Sequence, residues 1–208
     1  MTITYRGVKG TDLTPTEVDG NFTDLDTRTG AGWRDLICGI ETRSGPTQPV
    51  LQNFRNGIYL YAFSPDILQE AFATAHIDHD YKLGSALYPH FHFTTDTTNL
   101  GTVRWGFEYT WAQRHDGAIA NYTFGPTTTV YAEHVISGVA YTHYVSEVSD
   151  SDAIPGTNID VDTVILFRIF RDATHANDTY PDPVYGFTFD LHYQANRHTT
   201  PNKAAPFV

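Results

Sequence analysis

The sequence predicts an all-β protein, an antiparallel, jelly-roll-like β-sandwich preceded by a short helical segment. Three observations support this fold class. Segments in which apolar and polar residues alternate recur along the chain, separated by turn residues such as Gly, Pro and Asn. Tyr and Phe, which favour strands, number 13 each against a single Met. Beyond residue 75 almost no helical pattern occurs, so strands must supply most of the core.

The composition limits the functions open to this chain. Its 208 residues are 40% hydrophobic, which is enough to fill the core of one large β domain with a short appendage. A net charge of −11 argues against binding nucleic acid. No apolar run of about 18 residues occurs, so we expect no membrane insertion, and the N-terminus lacks the apolar core of a signal peptide. Cys38 is the only cysteine, and we expect a small buried thiol.

The N-terminal segment, residues 1–30, is predicted to be separate from the sandwich domain, residues 31–208. Thr14 can cap a helix, Pro15 suits its first position, and Glu17 completes a capping box. A narrow apolar stripe at helical spacing runs along this helix: Leu13, Val18, Phe22 and Leu25. Because so small a stripe stabilises a lone helix poorly, we expect these residues to dock on a partner.

The same segment carries a family resemblance. The run Leu13-Thr-Pro-Thr-Glu-Val-Asp-Gly-Asn-Phe-Thr-Asp-Leu25 resembles the L-T-x-x-E-V-D-x-N-F-x-x-L segment found near the N-termini of tailed-bacteriophage fibre and related virion proteins. The resemblance implies a non-enzymatic structural protein located in the virion: a tail fibre, adaptor or head-decoration protein. It also implies other virion proteins as partners, a homotrimer and no cofactor. Exposed Trp and Tyr residues are compatible with binding a host-surface glycan. The alternative is an ordinary capped surface helix, since nothing in the chemistry of this segment requires a phage.

The remaining elements are predicted as strands, apart from one or two helical turns at 65–73. The central feature is a β-hairpin between Gly84 and Ala112, with its turn at 94–101. Alternation places His90 and His92 on one face of its first strand and the neighbouring phenylalanines on the other. The other predicted strands are 33–40, 58–63, 127–135, 139–148, 161–170 and 185–193.

The two hairpin histidines carry a pattern typical of metal chemistry. Gly84, His90-x-His92 and Asp96 resemble the first metal motif of cupins, Gly-x5-His-x-His-x(3,4)-Glu. In that comparison the two histidines face a barrel interior, and His192 from a late strand is the candidate third ligand. The motif is incomplete, because Asp replaces Glu and no second Pro-x-Gly-x-x-His motif follows. One hypothesis is a cupin-like metal-binding protein or enzyme using His90, His92 and His192. The favoured hypothesis is a polar strand face whose imidazoles hydrogen-bond neighbours or line a subunit interface.

No pattern in the sequence predicts a catalytic residue. A Gly-x-Ser-x-Gly elbow and a phosphate-binding glycine-rich loop are both missing from the sequence. The loop between 171 and 183 contains three aspartates, Asp172, Asp178 and Asp182, which lack the spacing of a calcium loop. We expect them to be solvated turn residues, and the protein not to be an enzyme.

Overall fold

The computed structural model describes residues 4, 9–29, 32–115 and 122–196, which fold as an antiparallel β-sandwich preceded by a helix. Helix α1 spans Pro15–Thr29. Ten strands follow in this part of the chain: β1 Gly32–Cys38, β2 Val50–Arg55, β3 Ile58–Phe63, β4 Gln69–His76, β5 Leu87–Thr94, β6 Gly101–Ala112, β7 Thr128–Ile136, β8 His143–Glu147, β9 Val164–Arg171 and β10 Val184–Ala195. The predicted fold class, a jelly-roll-like sandwich with a short N-terminal helical segment, is confirmed.

The strands form two layers. Sheet A has the order β2-β3-β10-β5-β8, with β1 also paired to β10, and sheet B has the order β4-β9-β6-β7. Most connections pass from one sheet to the other. Within sheet A, β2 and β3 form a hairpin whose turn residues Asn56 and Gly57 have φ angles of 47° and 86°. Two successive positive φ angles are typical of a type I′ turn, for which Asn-Gly is a favoured sequence.

The predicted hairpin between Gly84 and Ala112 is wrong, because β5 lies in sheet A and β6 lies in sheet B. Each of these strands has one face of large aromatic side chains, and the two faces pack against each other across the sandwich. The ring centroid of Trp105 on β6 lies 4.4 Å from that of Phe91 and 5.6 Å from that of Phe93 on β5. Placing the strands in facing layers buries both aromatic faces in one core.

The predicted helical turns at 65–73 are also wrong, because strand β4 occupies much of this region. Ala71, Ala73 and Ala75 alternate into the core, and β4 pairs along its whole length with β9. Leu, Gln, Glu and Ala are good helix formers, but the burial of alternate residues in a sheet overrides that local propensity.

Helix α1 begins as the capping box predicts. The backbone N–H of Thr14 donates to Glu17 Oε2 at 2.8 Å, and the N–H of Glu17 donates to Thr14 Oγ1 at 3.3 Å. The ammonium of Lys9 also contacts the Glu17 carboxylate, and with the Thr14 hydrogen bonds it lowers the pKa of Glu17 to about 2. Asn21 forms two hydrogen bonds with the Thr4 backbone, at 2.7 and 2.8 Å. The motif therefore has local structural roles for several of its polar residues.

Three further predictions concern Cys38, the domain boundary and membrane insertion. Cys38 is buried and unpaired with another cysteine, as predicted, and burial raises the pKa of its thiol to about 12. The predicted boundary between the N-terminal segment and the sandwich domain falls at residues 30 and 31, which lie outside the described residues. Among the helices that the structure describes, none has the length and apolar character needed to cross a bilayer.

A buried ion pair ties the loop after β9 to both sheets. The side chains of Arg171 and Asp178 are fully buried, with Nη2–Oδ1 and Nε–Oδ2 distances of 2.7 and 3.0 Å. The remaining guanidinium N–H groups donate to the carbonyl oxygens of Phe63, Tyr180 and Asp182 at 3.3, 2.6 and 2.8 Å. Phe63 ends β3 in sheet A, whereas Arg171 ends β9 in sheet B. The prediction that Asp178 is a solvated turn residue is therefore wrong.

Replacing Arg171 with Ala should lower the free energy of unfolding by about 3–5 kcal/mol, because Asp178 would be left buried without its partner. Urea denaturation followed by circular dichroism measures this change. Arg43→Ala is the matched control: its partner Glu70 also contacts Arg168, so the expected loss is within about 1 kcal/mol. Equal losses in the two variants would contradict the role given to the buried pair.

Candidate functional site

The outer face of sheet A carries a cluster of imidazoles and carboxylates, which we call the histidine face. Four neighbouring strands contribute to it. Its members are Asp35 on β1, Asp190 and His192 on β10, His90 and His92 on β5, and His143 and Glu147 on β8. The strand register places Asp35 beside His192, and His90 between Asp190 and Glu147. The structure thus brings together the three predicted metal ligands, His90, His92 and His192.

Alternation along β5 determines which way its histidines point. Phe91 and Phe93 are fully buried in the core between the sheets, so the histidines on either side of Phe91 lie on the opposite face. The expectation that they face a barrel interior is therefore wrong. Asp96, at the carboxylate position of the cupin motif, accepts a hydrogen bond from Tyr185 at 3.0 Å and is not a member of the cluster.

His90 and His192 form the centre of the histidine face. Their rings lie 4.0 Å apart between centroids, with an interplanar angle of 30°. Asp35 Oδ1 lies at one edge of both rings, 2.6 Å from His192 Nε2 and 3.7 Å from His90 Nε2. Glu147 Oε2 lies at the opposite edge, where it contacts His192 Nδ1 and is 3.6 Å from His90 Nδ1. Two imidazoles are therefore held between two carboxylates.

His92 belongs to a second group of side chains that also includes His90. Its Nε2 lies 3.2 Å from Asp190 Oδ2, which is itself 3.9 Å from His90 Nε2. The other nitrogen, Nδ1, lies 2.8 Å from His143 Nε2, so one of these two nitrogens donates and the other accepts. Asp190 Oδ1 accepts a hydrogen bond from the Thr188 hydroxyl at 2.8 Å.

Two sets of three side chains could hold a cation, and both contain His90. The potential ligand atoms lie within 4.8 Å of one another in the set Asp35, His90 and His192, and in the set His90, His92 and Asp190. Burial, together with the neighbouring His192, lowers the pKa of His90 to about 4, and burial also lowers the pKa of His92. Both shifts favour the neutral imidazole, which is the form that binds metals.

The charge balance of the histidine face favours a cation. In the described part of the chain, the ion-pair contacts of Asp35, Asp190 and Glu147 are all with histidines, and none is with Lys or Arg. Elsewhere in the described chain, Asp162 lies beside two histidines, His76 and His79, and also contacts an arginine. Its Oδ2 lies 2.7 Å from Arg114 Nη1. Three carboxylates without a Lys or Arg contact in the described part of the chain concentrate negative charge, which a bound cation would offset.

A pocket of about 320 Å³ adjoins the histidine face. Its lining residues are Trp33, Tyr88, Glu147, Asp150 and His192. The ring of Trp33, which is 59% exposed, meets the ring of Tyr88 edge-on with their centroids 5.5 Å apart. An exposed aromatic surface beside carboxylate oxygens can contact the apolar side of a sugar ring and accept its hydroxyl protons.

Sequence reasoning did not identify several residues of this surface: Asp35, Asp190, His143, Glu147, Trp33 and Tyr88. A weak signal was present, because Trp33 precedes Asp35 by two residues and Tyr88 precedes His90 by two, the spacing of one strand face. That spacing predicts which residues of one strand share a face, but not which strands are neighbours.

The four predicted attachment residues lie on or beside α1. Leu13 and Val18 are partly exposed, while Phe22 and Leu25 are 68% and 48% exposed. The C-terminal half of the apolar stripe is therefore turned to solvent, whereas the sandwich that follows has its own buried core.

Comparison with known proteins adds distant structural likenesses. No protein-family model and no curated protein matches the chain. A chain in the structure of infectious bursal disease virus, Gx strain, has 12% identity and a TM-score of 0.37, covering 82% of this chain and 33% of that one. The non-crystalline cellulose specific carbohydrate-binding module CBM28 has 14% identity and a TM-score of 0.30, covering 76% and 84%. The module TmCBM61, in complex with β-1,4-galactotriose, has 12% identity and a TM-score of 0.30, covering 83% and 93%. At these scores the likenesses carry no conclusion about function.

Replacing Gly186 with Ala tests the packing that orients the histidine face. A Cβ at this position of β10 would lie 2.5 Å from Phe91 Cζ and 3.0 Å from Phe63 Cε2, in the closed core. We expect a loss of about 1–3 kcal/mol in the free energy of unfolding, measured by urea denaturation. At Gly39 a Cβ would meet nothing within 4 Å, and Gly39→Ala should stay within about 0.5 kcal/mol. Indistinguishable losses would contradict the close approach of β10 to Phe91.

Proposed function

We propose that this chain is a non-enzymatic structural protein of a bacteriophage particle, of the tail-fibre, adaptor or decoration type, attached through its N-terminal segment. The observation that carries the proposal is the solvent-exposed apolar stripe on α1, within a segment that resembles the attachment region of virion proteins. Phe22 and Leu25 are the most exposed members of the stripe. Exposed apolar side chains at helical spacing are stabilised when a partner covers them.

The polar residues of the segment support a role in assembly. Thr14 and Glu17 cap α1, and Asn21 binds the Thr4 backbone, so these side chains stabilise the segment internally. Phe22, the most exposed apolar residue of the stripe, can then contact other molecules. We assign that contact to two further copies of this chain in a homotrimer, which other virion proteins then bind. A helix of 15 residues is marginal alone, and packing against its copies would stabilise it.

Phe22→Asp should convert the trimer to a monomer, because it places a charge at the centre of the proposed contact. Size-exclusion chromatography with light scattering on the full-length protein measures the mass, and circular dichroism checks that the sandwich remains folded. Phe124→Asp makes the same change at a side chain that is 51% exposed and lies outside α1, and should leave the trimer intact. A wild-type monomer, or a trimer unaffected by Phe22→Asp, would contradict this assembly.

The location in the particle can be tested directly. Phage particles purified by density gradient from a culture that carries this gene should contain the chain at a constant ratio to the other structural proteins, by quantitative mass spectrometry. Particles of full infectivity that lack the chain would refute the virion assignment, whatever the oligomeric state of the isolated protein.

A second candidate function for the sandwich, compatible with the first, is binding of a host-surface glycan. The pocket beside the histidine face favours it, because Trp33 offers an exposed aromatic ring while Glu147 and Asp150 offer carboxylate oxygens. Sugar rings commonly require both kinds of contact: an apolar surface for their C–H groups and acceptors for their hydroxyl groups.

Trp33→Ala should weaken glycan binding at least about tenfold, since the main aromatic surface of the pocket is removed. An array of bacterial surface oligosaccharides would identify a bound sugar, and calorimetry with that sugar would compare the variants. Tyr59→Ala removes another exposed aromatic ring, on β3, outside the pocket, and should bind as the wild type does. Binding to no array oligosaccharide, or equal affinity after Trp33→Ala, would rule out this use of the pocket.

A further inference from the structure

Hydrogen bonds to neighbouring oxygens fix a proton on Nδ1 of both central histidines, His90 and His192. His192 Nδ1 contacts the Glu147 carboxylate, and His90 Nδ1 lies 3.3 Å from the Tyr88 carbonyl oxygen. A carboxylate and a carbonyl oxygen can only accept, so each Nδ1 carries the proton and donates it. In both rings Nε2 is therefore the nitrogen left to face the Asp35 carboxylate.

Both of these Nε2 atoms face the same carboxylate. Asp35 Oδ1 lies 2.6 Å from His192 Nε2 and 3.7 Å from His90 Nε2. Without a metal, a proton on His192 Nε2 can join this nitrogen to Asp35 Oδ1 as a hydrogen bond. A proton on one ring would satisfy only that ring, whereas a metal ion would satisfy both rings and the carboxylate at once.

We propose that the histidine face binds one divalent transition-metal cation of the Zn²⁺ class through His90 Nε2, His192 Nε2 and Asp35 Oδ1. Two imidazoles and a carboxylate are a donor set typical of zinc and its neighbours. Glu147, at Nδ1 of His192, is then the outer carboxylate that orients a metal-binding imidazole. Three protein ligands also leave a position for water or a bound molecule.

The alternative set, His90, His92 and Asp190, shares His90 Nε2, so one cation at this nitrogen excludes the other. Accessibility favours the first set. The side chains of Asp35 and His192 are 48% and 34% exposed, whereas that of Asp190 is 7% exposed. A hydrated cation can therefore reach the first set directly from solvent. His92 is not a member, which distinguishes this set from the one that the cupin motif suggests.

The chain contains a matched group for comparison. His76 Nε2 and His79 Nε2 lie 3.5 and 3.2 Å from Asp162 Oδ1, so this group also consists of two histidines and an aspartate. Here Arg114 already brings a positive charge to the carboxylate, at 2.7 Å. We expect this second group to bind no Zn²⁺, and substitutions within it serve as controls.

The test is calorimetric titration of Zn²⁺ into full-length protein purified without a histidine tag and stripped with a chelator. The wild type should bind one equivalent and should show a higher melting temperature with Zn²⁺. Asp35→Asn and His192→Gln should each lower the affinity at least about tenfold and abolish that shift. His92→Gln and His76→Gln should change neither quantity.

Each other result overturns the proposal. A folded wild type that binds no Zn²⁺, or that binds it equally after Asp35→Asn and His192→Gln, has no such site. Loss of binding in His92→Gln but not in His192→Gln assigns the metal to the alternative set. Because Asp35 and His192 are partly exposed, both variants should fold, which circular dichroism verifies. The proposal stands apart from the virion function, since neither Phe22→Asp nor particle composition bears on it.

Discussion

The packing of Phe91 against Trp105 orients β5, and the candidate site depends on that orientation. The two ring centroids lie 4.4 Å apart, and the ring of Phe63 closes the same cluster at 5.9 Å from Phe91. Because side chains alternate along a strand, burying Phe91 directs His90 to the outer face. A register shift of one residue would bury imidazoles in the core and expose two phenylalanines, each at a cost of about 1.5–3 kcal/mol in lost apolar burial. Gly186 allows the neighbouring strand to approach this ring.

Sequence patterns predicted the local structure of single helices and strands far better than the pairing of one strand with another. The capping box at Thr14 and the alternation of β5 follow from neighbouring residues, and the structure confirms both. Strand pairing is a long-range property that a period of two does not encode, so β5 and β6 were wrongly paired as a hairpin. The carboxylates Asp35 and Glu147 were missed for the same reason: they approach His192 only through the pairing of β1, β10, β5 and β8.

Asp178 and the histidine face show two ways in which this fold treats carboxylates. Sequence alone assigns a loop aspartate to solvent, because charged residues are rarely buried without a partner. Asp178 is buried because Arg171 supplies both a charge and a fork of N–H donors. The carboxylates of the histidine face contact no such arginine among the described residues, which is the physical reason to look for a different cation there.

A cation at the proposed site would also connect the histidine face with the adjoining pocket. In the described chain β1 pairs in sheet A with β10 alone, and most of its side chains are exposed, so little apolar burial holds it in place. A metal ion bound to Asp35 would fasten β1 to ligands on β10 and β5. Trp33, two residues before Asp35, forms a wall of the pocket. Ordering β1 would thus order the aromatic surface of Trp33. By thermodynamic linkage, a pocket ligand that binds only when Trp33 is in this position would in turn strengthen metal binding.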